Sequence, residues 1–217
     1  MRIQGEIMSS KRVDTAIGES GGDIEKLSRE LGLDADSLEV AVLFWRGRTQ
    51  HMDAPTVANF RTAAQAYGAM STMLDWQKKL KADTEKLFRN AEEEDNLREF
   101  SKWLFKVSRD KEPKLDMEIA IVGWEMLFSP RFFTDMDKLP QFAQQRIDKA
   151  KCAAARKRPE MRSPTDGILY VTQDEWEMLL ELALILRKPS GRKLFEQEHD
   201  DSWPQIVDDY MKWLTTH

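Results

Sequence analysis

With 217 residues, 41% of them hydrophobic and 33% charged, the chain is long enough to bury a core and too rich in apolar side chains to be disordered throughout. Its one cysteine, Cys152, excludes an internal disulfide and fits a reducing, intracellular compartment, and no apolar run is long enough to span a membrane as a helix. The formal charge of −5 argues against bulk attraction to nucleic acid, yet it averages over a basic segment at 146–162 and an acidic one at 196–209.

Residues 1–22 mix Arg2, Glu6, Lys11, Arg12 and Asp14 among apolar side chains, so they lack the uninterrupted apolar centre of a secretory signal and are expected to be a flexible lead-in. Ile24, Leu27 and Leu31 then recur at helical spacing up to Gly32, a residue suited to closing a helix. Asp36 and Glu39 stand three apart like a capping box ahead of the stripe Leu38, Ala41, Val42 and Trp45. Pro55 and Thr56 are placed to open a third helix carrying Phe60, Ala63, Ala64 and Tyr67, and Ser71 or Thr72 a fourth with Leu74 and Leu80. The acidic run 92–95 leads into Leu97, Phe100, Leu104 and Val107.

Asp116 is positioned to cap a buried helix bearing Ile119, Ala120, Trp124 and Leu127. Phe142 and Ile147 mark another helix that runs into the basic segment, after which Pro159, Pro164 and Gly167 read as a loop; the stretch 149–166 looks like an insertion. Thr172 and Glu175 form a second capping box before Trp176, Leu179, Leu180, Ala183 and Leu184. Pro189 to Gly191 break that helix, and Trp203-Pro204 opens a last one with Ile206, Val207, Tyr210 and Leu214 inward. Residues 168–171, Ile-Leu-Tyr-Val, form the one strand-like run, too little on its own for a sheet.

Catalytic chemistry is sparse. The sequence holds no Gly-rich phosphate loop and no cysteine pair, and His51, His199 and His217 are far apart. Cys152 has no histidine near it in sequence to make it a nucleophile, and the acids Asp34 and Asp36 lack the Gly and distal Glu of a calcium loop. The basic segment lacks the interleaved aromatics of a strand-binding groove.

In their order these pieces resemble the potentiating-neddylation domain of the defective-in-cullin-neddylation family. The marks are Leu33-Asp34 with Phe44-Trp45-Arg46, Leu115-Asp116-Met117-Glu118 with Trp124, Asp174-Glu175-Trp176 with Leu179-Leu180, and Ser202-Trp203-Pro204 with Asp208-Asp209-Tyr210. The resemblance implies an all-α, compact single domain over 23–217, of about nine helices in two tandem EF-hand-like halves without calcium sites. It implies a scaffold-type co-ligase, not an enzyme, with no cofactor and no metal, monomeric, and cytoplasmic or nuclear. Its partners would be the C-terminal winged-helix region of a cullin, the acetylated N-terminus of the neddylation-conjugating enzyme and, through them, a cullin-RING ligase assembly, with neither nucleic acid nor membrane.

Carried over residue by residue, the family's cullin patch falls on Asp174, Ser202 and Asp208, with Asp209 beside them; Ser202 stands where the family has alanine. The conjugating-enzyme pocket falls on Ile24, Val40, Leu43, Met52, Pro55, Leu104 (or Phe105) and Met126. Met52 and Pro55 replace a polar and an aromatic residue common there. Acetylation removes the amino charge that would be costly to bury, so a methionine with its acetyl cap suits such side chains. Two other readings stay open: a helical interaction module that kept the fold and changed partners, and a nucleic-acid binder using 146–162.

Overall fold

The computed structural model describes residues 11–216 apart from 53, 69–71, 110–111, 162, 164 and 199–202. The described residues are all-α in character, with eleven α-helices, two short 3-10 turns and one pair of two-residue strands. Two compact units divide between Trp103 and Leu104.

The first unit contains α1 (Val13–Ser20), α2 (Ile24–Leu31), α3 (Leu38–Arg46), α4 (Val57–Ala66), α5 (Met73–Arg89) and the start of α6 (Glu94–Ser108). Residues 13–20, expected to belong to a flexible lead-in, are a helix that buries Val13, Ala16, Ile17 and Ser20. Two turns with apolar residues at i, i+3 and i+4 suffice once the face has α4 and α5 to pack on, and Gly21 at φ 63 ends it. Thr56 with Asn59, and Thr72 with Asp75, close reciprocal capping boxes on α4 and α5. Asp36 and Glu39 do not: Ser37 occupies the N-cap of α3, and no side chain caps it.

The core of this unit is aromatic. Phe100 meets Trp45, Phe88 and Trp103 with ring centroids 5.6 to 5.8 Å apart, and Phe44 stacks on Phe60 at 6.4 Å. A polar clasp sits beside it, in which Arg46 grips Asp83 through two hydrogen bonds of 2.9 and 2.8 Å and the Tyr67 hydroxyl donates to the same carboxylate at 2.9 Å. Burial, with the Asp83 charge next, pushes the Tyr67 pKa up, so the phenol stays a donor. The clasp joins α3, the end of α4 and α5 without leaving the carboxylate unpaired.

The second unit contains β1 (Leu115–Asp116), α7 (Met117–Leu127), α8 (Leu139–Ala155), β2 (Tyr170–Val171), α9 (Gln173–Leu186), α10 (Gly191–Glu198) and α11 (Gln205–Leu214). The 168–171 run does find a partner: β2 pairs antiparallel with β1, Leu115 opposite Val171 and Asp116 opposite Tyr170. Each strand immediately precedes a helix, so the pairing fixes where α7 and α9 begin, and both starts are capped, by Asp116 and by the Thr172–Glu175 box. The basic stretch is half helix, because α8 continues to Ala155 before the loop starts. The break expected at Pro189 to Gly191 ends at Ser190, and residues 191–198, for which no helix was expected, form α10; Gly191 is required at its start, since a Cβ there would lie 2.0 Å from the Ile185 carbonyl oxygen.

Trp176 of α9 anchors this unit's core. It is fully buried, stacks on Trp124 at 5.8 Å and meets Phe105 at 5.6 Å. Gly123 lets α7 come close, as a Cβ there would lie 2.7 Å from the Trp176 ring. At the other end, Phe142 of α8 meets Tyr210 and Trp213 of α11 at 5.4 and 5.8 Å, and Trp213 donates to the Gln145 side-chain oxygen at 3.0 Å.

Candidate functional site

Asp174 lies in the first turn of α9, exposed, two residues past the cap that Thr172 and Glu175 build. A carboxylate there is favoured by the helix dipole and needs no partner to be stable. Its helix packs against α11, which carries Asp208 and Asp209, both half-buried. The acids therefore belong to two packed helices of one unit. Asp209 is engaged within the molecule: Arg146 of α8 lies 3.4 Å from it and also stacks over Phe142, 5.6 Å from the ring centroid. Ser202 and the acids at 200 and 201 lie outside the described residues.

What holds α11 in place is the Tyr210 hydroxyl, which donates to the Asp135 carbonyl at 2.7 Å. Burial raises the pKa of that phenol, so it remains protonated and the bond persists. Beside it, Phe132, Phe133, Met136, Ala183 and Leu186, with Asp135 and Arg187 at the rim, line a depression of about 100 Å³.

The apolar positions separate into buried and accessible ones. In the first unit Val40 and Leu43 are core residues, 1% and 0% exposed, while Ile24, Met52 and Pro55 are half-buried. The chain at Gly22, just ahead of Ile24, comes close to Pro55, for a Cβ on Gly22 would lie 3.0 Å from the Pro55 carbonyl oxygen. Trp103 secures the preceding loop by donating to the Thr49 carbonyl at 2.8 Å. In the second unit Leu104 and Phe105 are buried and Met126 of α7 is half-buried. Ile24, Met52 and Pro55 are thus accessible in the first unit and Met126 in the second, while Val40 and Leu43, and Leu104 and Phe105, lie in the cores of their own units.

Helical spacing alone misses two accessible residues. Ile119, expected to be inward, is 49% exposed, and Val122 is 61% exposed; with Met126 they follow one another at i, i+3 and i+7 along α7. The signal was present in composition: Met117–Leu127 is apolar on both faces, and a helix with one face against its neighbours has no structural need for the second.

Among the described residues no group of three His, Cys, Asp or Glu side chains could hold a metal ion, and no helix is long and apolar enough to cross a membrane. Cys152 is exposed on α8. Lys151 of α8 pairs with Glu118 of α7 at 2.5 Å and Lys157 pairs with Asp166 within the loop at 2.6 Å, which ties the basic segment to its surroundings.

A protein-family model described as cullin binding matches residues 77–213, which include α7 to α10 whole and α11 up to Trp213. The chain belongs to the cullin-binding family. Curated proteins agree with the DCN-like assignment: DCN1-like protein 3 of Xenopus laevis, of Rattus norvegicus and of Homo sapiens are each 23% identical over 203 residues, 92% of this chain. The chain spans 57% of the length of these relatives. The described surface of this family member carries an exposed carboxylate on α9, half-buried ones on the α11 that packs against it, and accessible apolar residues on α7.

Proposed function

We propose that the chain is a scaffold-type co-ligase for cullin neddylation, which binds a cullin's C-terminal winged-helix region and the acetylated N-terminus of the neddylation-conjugating enzyme. The observation that carries this reading is the family match across 77–213, a stretch that holds the acids of α9 and α11 and the apolar outer face of α7. The cullin would be met by Asp174, Ser202 and Asp208. Asp209, already paired with Arg146, serves by holding α11 on α8. An acidic surface of this kind recruits a basic partner chiefly by speeding encounter and rejecting acidic competitors.

The conjugating enzyme's acetylated methionine is assigned to the first unit's apolar positions Ile24, Val40, Leu43, Met52 and Pro55, of which Ile24, Met52 and Pro55 are accessible; Leu104, Phe105 and Met126 are the corresponding apolar positions of the second unit. Burial of one methionine side chain contributes about 2 kcal/mol. The protein supplies no reacting group: it holds two partners, and the transfer chemistry stays with the conjugating enzyme. Its place of action is then cytoplasmic or nuclear. Two EF-hand-like halves suit the way β1 and β2 clamp the starts of α7 and α9 side by side in the second unit, and the way Arg12 bridges Thr72, ahead of α1 and α5, in the first.

Calorimetric titration with peptides from the conjugating enzyme's N-terminus tests the pocket. The acetylated peptide is expected to bind at least about tenfold more tightly than the free-amine form, because the latter must strip water from an ammonium group or leave the apolar surface. Equal affinities would remove the pocket assignment.

A further inference from the structure

We propose that Ser163 is a site of phosphorylation by a proline-directed serine/threonine kinase, and that the phosphate there acts on the charge of the basic loop. The sequence contains two Ser-Pro pairs, Ser129-Pro130 and Ser163-Pro164, and the structure separates them. Ser129 is half-buried and structural. Its carbonyl accepts the backbone amides of Phe132 and Phe133 at 2.9 and 3.1 Å, and both phenylalanines are buried, so a kinase could reach it only by undoing that turn. Ser163 is exposed, outside any helix or strand; its hydroxyl lies 3.1 Å from the exposed Thr165 hydroxyl and accepts the Thr165 amide at 3.4 Å, and its carbonyl accepts the Asp166 amide at 3.0 Å, all within an exposed turn.

Proline after the serine matters physically in two ways. It biases the serine toward extended backbone, the form in which a kinase cleft takes its substrate. It also has no N–H, so an apolar pocket can accept it without burying an unsatisfied donor. The loop is anchored at its base: Lys157 pairs with Asp166 at 2.6 Å, and Gly167, at φ +84, lies against α8 so closely that a Cβ would be 3.2 Å from the Lys151 Cα. Between those anchors, Glu160, Met161, Ser163 and Thr165 are all exposed. An enzyme can engage these exposed side chains without unfolding α8 or α9.

In the reaction the Ser163 Oγ attacks the γ-phosphorus of ATP, the bond to the β-phosphate oxygen breaks and ADP leaves, and the hydroxyl proton passes to the kinase's catalytic carboxylate. The product meets an environment already arranged around an anion. Asp166 accepts the Ser163 amide at 2.8 Å with one carboxylate oxygen and Lys157 with the other, so a phosphate on Ser163 competes with Asp166 for Lys157 and repels its carboxylate. Residues 149–166 hold six cations and two carboxylates. A phosphate of charge about −2 halves that surplus of positive charge.

The test is incubation of the full chain with a purified mitogen-activated protein kinase and Mg-ATP, with phosphosites located by mass spectrometry. The expected result is one phosphate per chain, at Ser163, abolished in Ser163→Ala, slowed at least about tenfold in Pro164→Ala and unchanged in Ser129→Ala. The thermal midpoint of all three variants should stay close to that of the parent for the loop changes, and a Ser129→Ala chain that unfolds is replaced by peptide mapping of the parent, where Ser129 must be unmodified. No incorporation, incorporation at Ser129, or the same rate after Pro164→Ala would overturn the proposal.

Discussion

Trp176→Ala is expected to cost about 3–5 kcal/mol of stability, the usual range for removing a large aromatic from a core. Trp176 is 0% exposed and lies between two other rings, Trp124 and Phe105. The neighbours cannot close over the gap easily, because α7 is already drawn in to the limit at Gly123. Thermal unfolding should show a fall in Tm of roughly 10 °C for a chain of this size. Trp176→Phe, which keeps a ring against Trp124, should lose much less. A drop of under about 1 kcal/mol in the alanine variant would mean that α7 and α9 are held by something other than this stack. The same helix carries Asp174 two residues earlier, so the stack also fixes the direction in which that carboxylate is offered.

The second large effect is on binding. Asp174→Lys combined with Asp208→Lys should weaken affinity for the cullin's C-terminal region by at least about thirty-fold, on the order of 2 kcal/mol, since each change replaces an attraction to a basic partner with a repulsion. The fold should survive, because Asp174 is exposed and Asp208 half-exposed; the lost favourable interaction of Asp174 with its helix N-terminus accounts for less than about 1 kcal/mol. Stopped-flow kinetics would find most of the loss in the association rate, and added salt would shrink the difference between the two proteins. Undiminished cullin affinity at low salt would remove these acids from the interface.

Long amphipathic helices and their caps were legible in the sequence, because both are local: Thr172 and Glu175 are three residues apart, and Thr56 and Thr72 needed only the next turn. What escaped depends on distant partners. Residues 13–20 make too short a stripe to declare a helix until α4 and α5 cover it, and Tyr170 and Val171 became a strand through Leu115 and Asp116, more than fifty positions away. Residues 191–198 were hidden by the Pro189-Ser190-Gly191 run, which reads as a break although Gly191 opens the helix. Asp36 and Glu39 had the spacing of a capping box, but the chain turned one residue later, at Ser37. Among the functional positions, chemistry could be matched by type but not by accessibility. Periodicity cannot tell Val40 and Leu43, in the core, from Met126, at the surface, and it placed Ile119 inward when it faces out. Nor could it foresee that Arg146 would reach Asp209.

The central claim, that this chain brings a cullin and a loaded conjugating enzyme together, is tested most directly by reconstituted transfer. Purified cullin, conjugating enzyme with an acetylated N-terminus, and Nedd-type modifier are mixed with and without the chain, and the rate of modified cullin formation is followed. The account predicts a rate at least about tenfold higher with the parent chain and close to the unassisted rate with the Asp174→Lys, Asp208→Lys variant. An unassisted rate with both, or equal acceleration by both, would contradict it.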